Sequence, residues 1–108
     1  MTELPEKVQR VIEYLITQTK GKGVIVLFGS QVQQKKKTNA DFDIGILLNS
    51  PLSWRTFSIW KLHCEDLAWP YRIDLVDLSR APKEFLETVE QQMVVLHGQW
   101  HPPSGTDG

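Results

Sequence analysis

A small α/β domain, a three-stranded mixed sheet with helices mainly on one face, is the fold this sequence predicts. Three observations point to it. Helical and strand periodicities alternate along the chain, in the order αβ(α)βαβα. One apolar run, Val24-Ile25-Val26-Leu27-Phe28, is continuous and rich in β-branched residues, which suits a strand buried on both faces. Two later strands alternate between apolar and acidic residues, which suits a sheet with one covered and one open face.

The elements follow in order. Over 3–20, Leu4, Val8, Val11, Ile12, Leu15 and Ile16 recur at helical spacing, and Gly21 and Gly23 stop the helix. The buried strand at 24–28 ends abruptly at Gly29-Ser30, and a short helix is expected over 31–36 before a polar loop. Over 41–48, Phe42, Ile44, Ile46 and Leu48 share one face, while Asp41, Asp43 and Gly45 share the other. Asn49-Ser50-Pro51 breaks that strand. Ser53 is then placed to cap a helix over 54–68, with Trp54, Phe57, Trp60, Cys64 and Leu67 on its buried side and Pro70 ending it. A third strand over 71–76 puts Ile73 and Leu75 on one face and Arg72, Asp74 and Val76 on the other. A last helix begins near Pro82, a favourable first-turn residue, and carries Phe85, Leu86, Val89, Met93 and Leu96 towards Gly98. The domain is read as 1–99. The breaker-rich tail 100–108 is expected to fray.

Composition narrows the function. The 108 residues suit one domain, and a formal net charge of −1 argues against broad nucleic-acid binding. A single cysteine, Cys64, allows no internal disulfide, and no apolar run approaches the ~18 residues of a membrane span. The charged start of the chain lacks the apolar core of a signal peptide, so a cytoplasmic protein without membrane attachment is expected.

The chemistry concentrates in few residues. Asp41 and Asp43 are two apart on a strand, so their side chains project together from Cα atoms roughly 6.5 Å apart. If the Asp74 strand is a neighbour, three carboxylates converge. Carboxylates that close repel one another and call for cations, and an oxygen-only ligand set suits Mg²⁺ or Mn²⁺. Gly29-Ser30 supplies the complementary half. A glycine after a buried strand lets backbone approach a phosphate, and the Ser30 hydroxyl and following amides can donate to it. Alone, a Gly-Ser is usually a turn and an Asp-x-Asp a solvated strand edge. It is the combination that makes a nucleotide site. Lys35-Lys36-Lys37 is read as a solvated loop that can also reach a triphosphate, and Trp69 and Tyr71 are candidates for contact with a nucleotide base.

Phe28-Gly29-Ser30, ten intervening residues and Asp41-Phe42-Asp43 together resemble the signature of the polymerase β-like nucleotidyltransferases. The short length and element order are similar to their minimal nucleotidyltransferase (MNT) subfamily, with Arg72-Ile73-Asp74-Leu75-Val76 where the third aspartate belongs. The resemblance implies catalytic, metal-binding roles for Asp41, Asp43 and Asp74, with Mg²⁺ as cofactor. It also implies a Gly29-Ser30 grip on the triphosphate of ATP. It further implies transfer of AMP to a hydroxyl, a tyrosine of a helical HEPN-domain toxin partner, with this chain as antitoxin. Gln31 and Gln34 stand where the family often has Arg and Gly, and Ala40 where Ser is common. These departures keep one alternative open, a catalytically weak module that blocks its partner by binding; a third, separate reading is a small-molecule nucleotidyltransferase whose site a partner or a homo-oligomer would complete.

Overall fold

The computed structural model describes residues 4–29 and 41–101. Ser30, the short helix expected over 31–36, the Lys35-Lys36-Lys37 run, Gln31, Gln34 and Ala40 lie outside the described residues, as do 102–108. The described elements are α1 (Glu6–Gln18), β1 (Val24–Phe28), β2 (Asp41–Leu47), α2 (Trp54–Ala68), β3 (Arg72–Asp77), a 3₁₀ turn (Leu78–Arg80), α3 (Lys83–Gln92) and β4 (Val94–His97).

The sheet has four strands in the order β3-β2-β1-β4, one more than the sequence predicts. β1 pairs antiparallel with both β2 and β4, while β2 and β3 run parallel, joined by the α2 crossover. The extra strand is a correction to the last helix, which ends at Gln92 and does not continue through Met93 and Leu96. Pro82 sits just before that helix as its N-cap rather than within its first turn. The physical reason for β4 lies in β1. All five β1 residues are buried, so both rows of its backbone groups must be paired inside the protein, and β2 can serve only one.

α1 and α2 cover one face of the sheet. Val8, Val11, Ile12 and Leu15 of α1 and Trp60, Cys64 and Ala68 of α2 pack on Ile25, Leu27, Phe42, Ile44, Ile46, Ile73 and Leu75. Ser53 caps α2 as expected, its hydroxyl accepting from the Thr56 amide at 3.1 Å. The buried stripe of α2 differs from the sequence expectation at its ends. Ala68 is buried in place of Leu67, and Trp54 lies exposed with the Arg80 guanidinium 4.3 Å from its ring centroid. Successive steps of four residues, 60-64-68, drift around the helix enough to exchange Leu67 for Ala68. Burial of Cys64 pushes its thiol up to about 12, so it serves as packing.

The second face is covered in part. Leu78 and Val89 pack on Val24, Val26 and Phe28, and Gly45 leaves the space that Leu78 fills, because a Cβ there would lie 2.6 Å from Leu78 Cδ1. At the C-terminal end of β3, on the side of Ile73 and Leu75, a buried carboxylate organises the loops. Asp77 accepts from the Leu52 and Ser79 amides, both at 3.0 Å. The second face carries Asp41, Asp43 and Asp74 where β2 and β3 begin.

Candidate active site

Strand alternation and register build the site. The period of two sends Phe42 and Ile44 into the helix layer and Asp41 and Asp43 to the opposite face; Ile73 and Leu75 separate from Arg72 and Asp74 in the same way. Parallel register then opposes Asp43 to Asp74 and Asp41 to Arg72. On its other side Asp43 faces Phe28, the last residue of β1. The site therefore lies where β1 ends and β2 and β3 begin. Asp74 is exposed on this face, away from the helices.

Gly29 closes the site from β1. Its φ of +84° is a left-handed conformation that L side chains rarely adopt, and a Cβ there would collide with the Asp43 carboxylate. The glycine is thus needed twice over, for the turn and for the close approach. It brings a backbone amide edge beside a carboxylate, as a phosphate flanked by cations requires.

Electrostatics mark Asp43 among the carboxylates. Its carboxyl is held above the usual range, first by burial, then by the charge of Asp74, by a hydrogen bond with Asp74 and by the charge of Asp41. Like charges crowded in this way are relieved by a cation placed between them. Among the described residues no three acidic, histidine or cysteine side chains enclose an ion by themselves. Mg²⁺ is commonly held by one or two carboxylates and completed by substrate phosphates and water rather than caged by protein.

Beside the carboxylates is an open cleft of about 630 Å³, lined by residues including Asp41, Asp43, Asp74, Trp69, Tyr71 and Arg72. Tyr71 is fixed edge-on against Phe42 with ring centroids 5.9 Å apart, while Trp69 is 72% exposed. Both candidates for a base contact thus adjoin the carboxylates. Two lining residues escaped the sequence reading, Arg72 and Glu65. Alternation had already put Arg72 on the Asp74 face, but its pairing with Asp41 needs the strand register. Glu65 reaches the cleft from α2, and no signal in the sequence ties that helix position to the strands.

Comparison with known proteins agrees with this geometry. Residues 9–100 match the family model for polymerase β nucleotidyltransferases. Over 69 residues the chain is 30% identical to the probable protein adenylyltransferase MntA of Haemophilus influenzae, covering 64% of this chain and 60% of that relative's length. Among solved structures, a mutant toxin–antitoxin complex of MntA aligns with a TM-score of 0.73 at 27% identity, over 90% of this chain and 75% of the other. A toxin–antitoxin with AMP-PNP aligns at 0.70 and 27%, over 84% and 73%. The MNT antitoxin complex with tri-AMPylated HEPN toxin of Shewanella oneidensis aligns at 0.68 and 25%, over 86% and 71%. With the family model spanning most of the sequence, and with the sheet, the strand-end glycine and the paired aspartates in place, the chain belongs to the polymerase β family of nucleotidyltransferases.

Proposed function

We propose that this chain transfers AMP from ATP to a hydroxyl, a tyrosine of a HEPN-type helical partner, and so acts as that partner's antitoxin. The single observation that carries the reading is the register pairing of Asp43 with Asp74 beside the strand-end Gly29. The named relatives supply its direction. One is called a probable protein adenylyltransferase, and another is an antitoxin in complex with an AMPylated toxin.

Asp41, Asp43 and Asp74 are the residues that would hold Mg²⁺, with Mn²⁺ as a substitute. Bound there, the metal would neutralise triphosphate charge and stabilise the attacking and leaving oxygens. The chain's own residues do the rest. Gly29 and Ser30 bring amide and hydroxyl donors to the triphosphate, and Arg72 supplies a cation on the same face. Trp69 and Tyr71 offer ring surfaces to the base. Asp74, exposed opposite Asp43, takes the acceptor's proton as the acceptor oxygen bonds to the α-phosphorus and pyrophosphate departs.

A second reading, a module that inhibits by binding alone, is favoured by Gln31 and Gln34, which replace a cation and a flexible glycine common in the family. One experiment separates the two. The chain is incubated with ATP, Mg²⁺ and a co-expressed HEPN-type protein, and intact masses are measured. Transfer adds one or more adenylyl groups to the partner, and Asp41→Asn abolishes the gain while the complex survives. A partner that stays at its original mass yet remains inhibited supports the blocking module and sinks the transferase.

A further inference from the structure

The outer side of α2 carries a pattern that neither the core nor the active site uses. Arg55, Ile59, Leu62 and Asp66 are all exposed, Ile59 by 43% and Leu62 by 64%. Their spacing of four, three and four residues confines them to roughly 60° of arc on the helix, opposite the buried stripe Trp60-Cys64-Ala68. A 4-3-4 spacing is the repeat of a helix–helix seam, in which every such residue faces one partner helix. The four residues are also ordered cation, apolar, apolar, anion. Neither Arg55 nor Asp66 forms an ion pair or hydrogen bond with any described residue, whereas the neighbouring Lys61 and Glu65 already pair at 3.0 Å within the helix.

That order is self-complementary. If a second α2 lies antiparallel about a two-fold axis passing between residues 60 and 61, residue 55 opposes 66 and residue 59 opposes 62. Arg55 then meets Asp66 of the other copy at both ends of the seam, and Ile59 meets Leu62 on either side of the centre. A two-fold interface requires this kind of reciprocity, each residue being answered by its counterpart across the axis. A heterologous partner gives no reason for the sequence to be complementary to itself. We infer that the outer face of α2 is a homodimer interface, formed by antiparallel pairing of α2 through Ile59 and Leu62 with Arg55–Asp66 pairs at each end.

The dimer is weak. One pair of four-turn helices buries less than the ~800 Å² per partner of a standard interface, which places its dissociation constant in roughly the micromolar to submillimolar range. Both active sites stay reachable. Glu65 and Trp69, which line the cleft, lie at the C-terminal end of α2, so antiparallel pairing sets the two clefts at opposite ends of the seam.

The test is sedimentation velocity of the full chain over that concentration range, with Arg55→Glu, Asp66→Arg and the two combined. The wild-type chain should show a monomer–dimer equilibrium. Either single reversal turns two attractive pairs into two repulsive ones and should raise the dissociation constant by about tenfold. In an equimolar mixture of the two single variants, positions 55 and 66 carry opposite charges across the axis only in the mixed dimer. Association should therefore return in the mixture, as it should in the double variant. Those outcomes would establish the interface. A chain that stays monomeric throughout, single variants that dimerise as tightly as wild type, or a mixture that fails to restore association would each overturn it. So would loss of binding to a helical partner protein with the self-association unchanged, because the seam would then belong to that partner.

Discussion

Asp43 of β2 and Asp74 of β3 oppose each other across the parallel strand pair, and the charge of Asp74 adds to burial in holding the Asp43 carboxyl above its usual range. Asp43 therefore holds its proton more readily than an ordinary carboxyl, and a cation bound beside it would take that proton's place. The site's binding behaviour and its cost to stability both follow from that relationship.

Asp43→Asn should separate those two effects. Burial and Asp74 raise the folded-state value of Asp43 above that of the unfolded chain. From the ordinary carboxylate value of about 3.9 upwards, the native state therefore keeps a proton that the unfolded state has lost, and stability falls as pH rises through the raised value. In the presence of chelator the variant should lose this fall and melt at a higher temperature than wild type at neutral pH. Calorimetric titration should show that its metal-dependent triphosphate binding is gone. A variant that melts lower with chelator, or binds triphosphate equally with and without metal, contradicts the account.

Two glycines offer a matched comparison. Gly29→Ala puts a methyl group into the Asp43 carboxylate at a φ of +84°, so it should lower stability by about 1–3 kcal/mol and remove nucleotide binding. Gly45→Ala crowds Leu78 Cδ1 at 2.6 Å and should also lower stability by about 1–3 kcal/mol. Gly45 lies nearer the Leu78 cluster, so triphosphate affinity should be retained in whatever fraction stays folded. Denaturant unfolding and titration on the same samples read both quantities.

Arg72 shares the open face with Asp74 and opposes Asp41 in register. If it serves the triphosphate as a ground-state contact, Arg72→Gln should raise KM for ATP about tenfold with little change in kcat, because uniform binding is lost. Steady-state kinetics with a fixed acceptor decide this. An unchanged KM would remove Arg72 from the site.

Asp77 lies at the far end of β3, with its carboxylate accepting from the Leu52 and Ser79 amides and 3.9 Å from Arg80 Nε. Asp77→Ala leaves two amides without their acceptor and should cost about 2–4 kcal/mol in denaturant unfolding. Nucleotide affinity of the folded protein should stay within about twofold, since the defect and the cleft lie at opposite ends of the strand. A large affinity loss at full folding would show that the two ends are coupled.

What the sequence determined by itself was chiefly local. Alternation in two strands placed Asp41, Asp43 and Asp74 on one face, because a period of two leaves no other choice once Phe42, Ile44, Ile73 and Leu75 are buried. The unbroken run Val24–Phe28 likewise marked a strand with both faces covered. Tertiary structure decided the rest. Helical spacing carries on from Val89 to Met93 and Leu96, so periodicity alone extends the last helix, and the β-branched pair Val94-Val95 was the only local sign of a strand. β4 exists because the second edge of β1 has to be paired, a demand that no residue of 94–97 can reveal. The same holds for the site. Neither the opposition of Asp43 to Asp74 nor the closeness of Gly29 to Asp43 is written in any spacing along the chain, because strand order and register bring together residues far apart in sequence.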